Sequence, residues 1–166
     1  MNGKRGSRRS SPGLRFGLSF FGWLLALSGA FWAGDVHRRL LPVQEFIARA
    51  SAALQHSIGG TAVVDGVNIV LHGLIIEINH ECTGVFVAML FVGFVLAYPA
   101  PWRARVGALV VGLPALLAVN VLRLATLARV AEIYPGAFAY FHEWVWQGVL
   151  MVVVLVGSVA WAERFG

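Results

Sequence analysis

The chain has 166 residues, of which 58% are hydrophobic and 13% charged, with a formal net charge of +5 and a mean hydropathy of +0.75. Ordinary soluble domains carry nearer ~25% charged residues, so this composition excludes a water-facing globule and indicates a bilayer. The basic excess does not signal nucleic acid, because Lys4, Arg5, Arg8 and Arg9 are interleaved with Gly, Ser and Pro and lack aromatic stacking residues.

Residues 1–15 form a basic tail that also includes Arg15. The apolar run Phe16–Ala33 follows, and a first transmembrane helix is expected over 16–34. It exceeds the ~7 to 15 residues of a signal-peptide core and no small-x-small site closes it, so an uncleaved span is expected. Residues 35–83 form an insert. From Pro42 onward, Val43, Phe46, Ile47, Ala50, Leu54 and Ile58 recur at helical spacing, with Gln44, Glu45, Arg49 and Gln55 between them. This pattern predicts an amphipathic helix lying on the membrane or capping the bundle, with Pro42 in its first turn. Asp65-Gly66 between Val63-Val64 and Val67 predicts a hairpin. A second turn at His72-Gly73 precedes the alternating Leu74–Asn79, which completes a three-strand meander running into His80-Glu81-Cys82-Thr83-Gly84.

A second span is expected over 84–98, closed by Pro99-Ala100-Pro101; at ~1.5 Å per residue it is short, at ~22 Å. The third is expected over 106–123, its helix continuing toward Ile133 before Pro135-Gly136, and the fourth over 143–162. Short basic segments stay cytoplasmic, which puts the tail and the Arg103/Arg105 turn inside; Arg38, Arg39 and Arg49 on the outer side oppose this without reversing it. The expected fold class is an all-α integral membrane protein: one membrane domain of four transmembrane helices, with a small extracytoplasmic amphipathic helix and a short β-meander. Both termini would be cytoplasmic, the protein would lie in the cell's inner membrane, and its immediate partner is the lipid bilayer.

Three residues distant in sequence fall at the outer boundary. Cys82 is the chain's one cysteine, which excludes an intramolecular disulfide and a Cys-based zinc motif. It lies where an extended segment turns into a helix, a setting that lowers a thiol pKa from about 8.5 when a helix N-terminus and a cation adjoin it; a buried cysteine is otherwise a small hydrophobe. Arg123 ends the uncharged run Val106–Leu122, with Asn120 one turn earlier on the same face. An inward-facing arginine at that depth has a partner and a task, whereas one that snorkels has neither. His142 opens the last span and can move protons near neutral pH, or else belongs to an interfacial belt with Trp144 and Trp146. His80 is a reserve base, since in an extended stretch it would share a side with Cys82, and Glu81 adjoins it. His37, His56 and His72 are expected to face water. No His-x-x-x-His spacing or other paired ligand pattern occurs, so neither a metal nor an organic cofactor is expected.

Glu81-Cys82-Thr83-Gly84 at the head of a span, Asn120-Val121-Leu122-Arg123 at the outer end of the next, and His142 opening the last resemble the exosortase/archaeosortase family over roughly Asp65 to Trp161. Members commonly show Cys-Ser/Asn/Thr-Gly, then Asn-x-x-Arg, then a histidine. The resemblance implies a multi-spanning cysteine transpeptidase acting on C-terminal sorting signals made of a short motif, an apolar helix and a basic tail. It places Cys82 as nucleophile, Arg123 as the essential arginine and His142 as third member; Asn120, His80 and Glu81 are the supporting candidates. A thioester acyl-enzyme would pass to water or to a lipid or glycan acceptor. The chain departs from many members in being short, which makes it a compact form. Two other classes fit the residues: a non-enzymatic membrane scaffold, and a polytopic acyl or headgroup transferase using His142 with Glu143.

Overall fold

The computed structural model describes residues 11–71 and 73–165; His72, the tail residues before Ser11 and the side chain of His37 lie outside the described residues. The molecule is mostly helical with one small sheet. α1 (Pro12–Ala33) leads through the short α2 (Val36–Arg39) to α3 (Leu41–Ser57), then β1 (Val63–Asp65), β2 (Asn68–Leu71) and β3 (Leu74–Glu77). A 3₁₀ turn at Glu81–Thr83 opens α4 (Val85–Ala97), followed by α5 (Trp102–Ile133). A 3₁₀ turn at Pro135–Ala137, the short α6 (Phe138–Tyr140) and a π-helical turn at Phe141–Val145 lead into α7 (Trp146–Phe165).

Among the described residues, three helical segments are long and apolar enough to cross a membrane: Pro12–Ala33, Trp102–Ile133 and Pro135–Phe165. Leu14, Leu18, Phe21 and Leu25 of α1 are all more than half exposed, a surface that suits lipid and not water. The first helix begins earlier than the expected 16–34 because Ser11 caps it, its Oγ accepting Leu14 N–H at 3.4 Å, and Pro12 sits in its first turn. The expected second span appears as α4, 13 residues long, or about 20 Å of rise. It packs against α1, α5 and α7 and is shorter than the three helices of spanning length. Gly84 at its start lies against Asn120, and Tyr98 at its end packs on Phe16, Phe94 and Trp161 at ring separations of 6.3, 5.8 and 5.6 Å.

α5 has 32 residues, about 48 Å against a hydrocarbon layer of ~30 Å. Its surplus lies under a cap built by α3 and the sheet. There Ile47, Ala48, Ala52, Ile69, Leu71 and Ile78 bury against Leu124, Leu127, Ala128 and Ala131 of α5. A separate, smaller cluster between α4 and α5 joins Phe91, Val95 and Ala108. The larger of the two cores is thus the one that joins the cap to α5.

The sheet is antiparallel in the order β1-β2-β3. Asp65 pairs with Asn68, so the hairpin loop is Gly66-Val67, one residue later than the predicted Asp-Gly. Gly66 has φ +59° and Val67 is not left-handed, the pattern of a II′ turn. The helix of the cap forms as expected but presents a different face. Ile47, Ala48, Ser51, Ala52 and Gln55 are buried, whereas Val43, Phe46 and Ile58 are exposed. Two polar side chains turn inward because the cap offers them partners: Ser51 Oγ donates to Val121 O at 3.4 Å, and Gln55 Oε1 accepts Ala62 N–H at 2.8 Å. His56 is exposed as expected, and its Nε2 also lies 2.6 Å from Ala62 O. Glu132 ties the loop to α5 by accepting Thr61 N–H at 3.0 Å and Thr61 Oγ1 at 2.7 Å, while pairing with Arg129 at 2.9 Å.

Gln55 is fully buried, so Gln55→Ala leaves Ala62 N–H unsatisfied and opens a void. The expected cost is about 2–4 kcal/mol, read as earlier thermal loss of protease resistance in the cap.

Candidate functional site

The segment after β3 is a turn, with consequences for each side chain in it. Cys82 N–H donates to Asn79 at both O and Oδ1, 3.1 Å each, an Asx-type closure. Thr83, buried, bonds His80 O through Oγ1 at 2.6 Å. Gly84 then takes φ +73°, which a side chain rarely adopts, and a Cβ there would stand 3.3 Å from the Asn120 carboxamide. That closeness lets Asn120 Nδ2 donate to Cys82 O at 2.7 Å. Asn120, buried on α5, therefore fixes the backbone of the cysteine.

One turn along the same helix, Arg123 is 5% exposed. The ion pairs among the described residues are Asp35–Arg38, Glu45–Arg49 and Arg129–Glu132; none includes Arg123. Its Nη2 lies 3.4 Å from His142 Nε2. A guanidinium only donates, so this contact is a hydrogen bond in the tautomer that carries the ring proton on Nδ1 and leaves Nε2 to accept. His142 is carried on the π-helical turn and stacks on Phe138 at 5.7 Å.

Cys82, Arg123 and His142 all line one cavity of about 520 Å³, shared with Glu77, Asn79, Glu81 and Gln147 among others. The sequence-predicted trio is thus brought together, and Asn120 and Glu81 join it, one behind Cys82 and the other on the wall. His80 is not brought in. Because the backbone turns where an extended stretch was expected, its ring packs against Phe31, Trp32 and Phe86 at 6.0–6.3 Å. Glu143, the acid required by the transferase reading, does not line the cavity. Glu77, Asn79 and Gln147 were not singled out by sequence. Asn79 carries a turn signal three residues before Cys82. Gln147 carries none, since its position five residues after His142 reaches the cavity through the π-helical turn.

The thiol does not show the expected activation. Burial pushes the Cys82 pKa up, outweighing the downward pull of its Asn79 hydrogen bond and of the Arg123 charge, while Glu81 and Glu77 add to the rise. The helix dipole contributes little because Cys82 sits in a three-residue 3₁₀ turn separated from α4 by Gly84, with its own N–H already bonded.

A second cavity of about 780 Å³ lies between α5 and α7 near Arg103 and Arg164, lined largely by Ala, Gly and Val. It is larger but holds no nucleophile, so chemistry and not size selects the first.

A family model described as transmembrane exosortase matches residues 11–160. The chain belongs to the exosortase family. The match extends from the cap of α1 to the last turns of α7, well beyond the segment that carries the motifs. Membership gives this membrane protein a transpeptidase or protease role in general terms. Comparison with curated proteins and with solved structures returned no match.

The thiolate is the reacting form of cysteine. With its pKa raised, Cys82 should alkylate slowly at pH 7 with a small neutral reagent, its rate still climbing with pH where an ordinary thiol near ~8.5 has levelled off. Arg123→Gln removes the cation, pushes the thiol higher still and lowers the rate at any given pH. A faster rate in that variant would contradict the assignment.

Proposed function

We propose that this exosortase is a membrane-embedded cysteine peptidase and transpeptidase that cleaves C-terminal sorting signals of exported proteins through a thioester at Cys82. The observation that carries the reading is a buried arginine without a carboxylate partner among the described residues, on the wall of the cavity that holds Cys82. Burying a guanidinium unpaired is costly, and a site so built favours an anion, here the oxyanion of an attacked peptide bond.

The proposed topology has both termini cytoplasmic, in the cell's inner membrane, with α4 as a short fourth crossing and the cap and cavity on the extracytoplasmic side. A substrate with a short motif, an apolar helix and a basic tail docks from the bilayer, which replaces much of the entropic cost of a bimolecular encounter. In the resting site the thiol is protonated and the Nε2 lone pair of His142 faces Arg123. When the guanidinium turns to the substrate carbonyl oxygen, Nε2 is released to accept the thiol proton. Sulfur attacks the carbonyl carbon, and Arg123 holds the negative charge that forms on oxygen. His142 then gives its proton to the leaving amide nitrogen as the C–N bond breaks. The thioester that remains is resolved by an amine or hydroxyl of a lipid or glycan acceptor, or by water. Asn120 positions Cys82 through its carbonyl.

The test is processing of co-expressed proteins that bear such tails. Cys82→Ala should reduce tail removal by at least about 10³-fold, and Arg123→Lys by roughly 10²-fold, because the shorter, differently shaped cation loses the geometry. His142→Gln should slow acylation while leaving substrate capture in place. Normal processing by Cys82→Ala would defeat the reading.

A further inference from the structure

β3 is an edge strand, and the ladder leaves its outer groups open. Ile78 N–H donates to Val67 O at 3.0 Å, and Ile76 with Ile69 and Leu74 with Leu71 follow in the same phase. Bonded and non-bonded pairs alternate in an antiparallel ladder. The N–H and C=O of Ile75 and Glu77, which stand opposite Val70 and Asn68, therefore point away from β2.

These groups face the cavity. Leu74, Ile75, Ile76 and Glu77 all line it; successive strand side chains point to opposite faces, so four in a row meet one cavity only where it runs along the strand's edge. Cys82 Sγ lies 4.0 Å from Glu77 O, one of the outward carbonyls. Among the described residues that thiol is the only group bonded to this edge.

We propose that β3 is the docking strand for the substrate: an extended stretch of the peptide pairs with the open edge at Ile75 and Glu77, and the pairing delivers the scissile carbonyl to Cys82. The inference rests on the cysteine-peptidase reading above. A peptide bond inside the substrate's apolar helix has its carbonyl tied up in the helix ladder, so the bond to be cut lies in an extended segment. Such a segment must satisfy its backbone groups as it approaches the apolar layer, and an open strand edge satisfies them in register. Pairing by main chain leaves selectivity to alternate side chains, which meet the polar groups of Glu81 and Gln147.

The experiment uses the full-length protein in its membrane and a tail-bearing reporter whose processing depends on Cys82. Ile75→Pro deletes the outward N–H at a sheet-edge position that tolerates proline. Processing should fall roughly tenfold to hundredfold, with the Cys82 alkylation rate within about twofold of the parent as a check that the site is intact. Ile75→Ala, which keeps the N–H, should cost less than about threefold. Processing by an intact Ile75→Pro site at the parent rate would overturn the proposal. Should that variant distort the site, the unaltered enzyme is given reporters in which single backbone amides near the cleavage point are replaced by esters. Losses at every second position are expected, and uniform tolerance or uniform loss would overturn strand pairing. Processing that survives Cys82→Ala would instead sink the cysteine reading itself, so the two failures are separable.

Discussion

A guanidinium cannot shed its charge to escape burial, and the structure is organised around that constraint at Arg123. The turn of α5 from Asn120 to Arg123 makes three connections outside its own helix. Asn120 holds Cys82 O, Val121 O accepts Ser51 Oγ from the cap, and Arg123 faces His142. Cap, turn and last helix are fastened to the same few ångströms of one helix. The cavity is what remains between them.

That turn lies between two differently packed parts of the molecule. Below it, helices show apolar side chains outward and bury few of them. Above it, α3 and the sheet cover the last turns of α5 with a closed core. A site at such a seam can receive a chain that is anchored in lipid and extended outside it. Each member of the polar trio there has a hydrogen-bond partner and opens on the cavity.

Burial of Cys82 has two effects that oppose each other. It holds the thiol protonated, which makes it a poor nucleophile at rest, and it strengthens every electrostatic interaction nearby by excluding water. Under the proposed mechanism the first effect keeps the sulfur inert until a carbonyl draws Arg123 away from His142. The cost of desolvation is then offset by the Arg123 charge, which the same cavity already holds.

Much of the outline was legible in the sequence. Apolar run lengths marked α1, α5 and α7, the proline pair closed α4, and strand alternation foretold the meander within one residue of its turn. Cys82, Arg123 and His142 stood out because rare residue types at the ends of apolar runs are unlike their neighbours. The buried face of α3 was only partly legible, since periodicity ranks side chains by hydrophobicity and cannot register that Ser51 and Gln55 find backbone partners inside the cap. His80 was misplaced because one turn, closed by Asn79, reverses the alternation an extended chain would have. The membrane character of the chain was set by composition alone, because transfer to lipid is a sum over residues. Which groups face one another across the cavity, and whether the thiol is raised or lowered, was decided only by tertiary structure, because distance and desolvation belong to the packed arrangement and to no residue by itself.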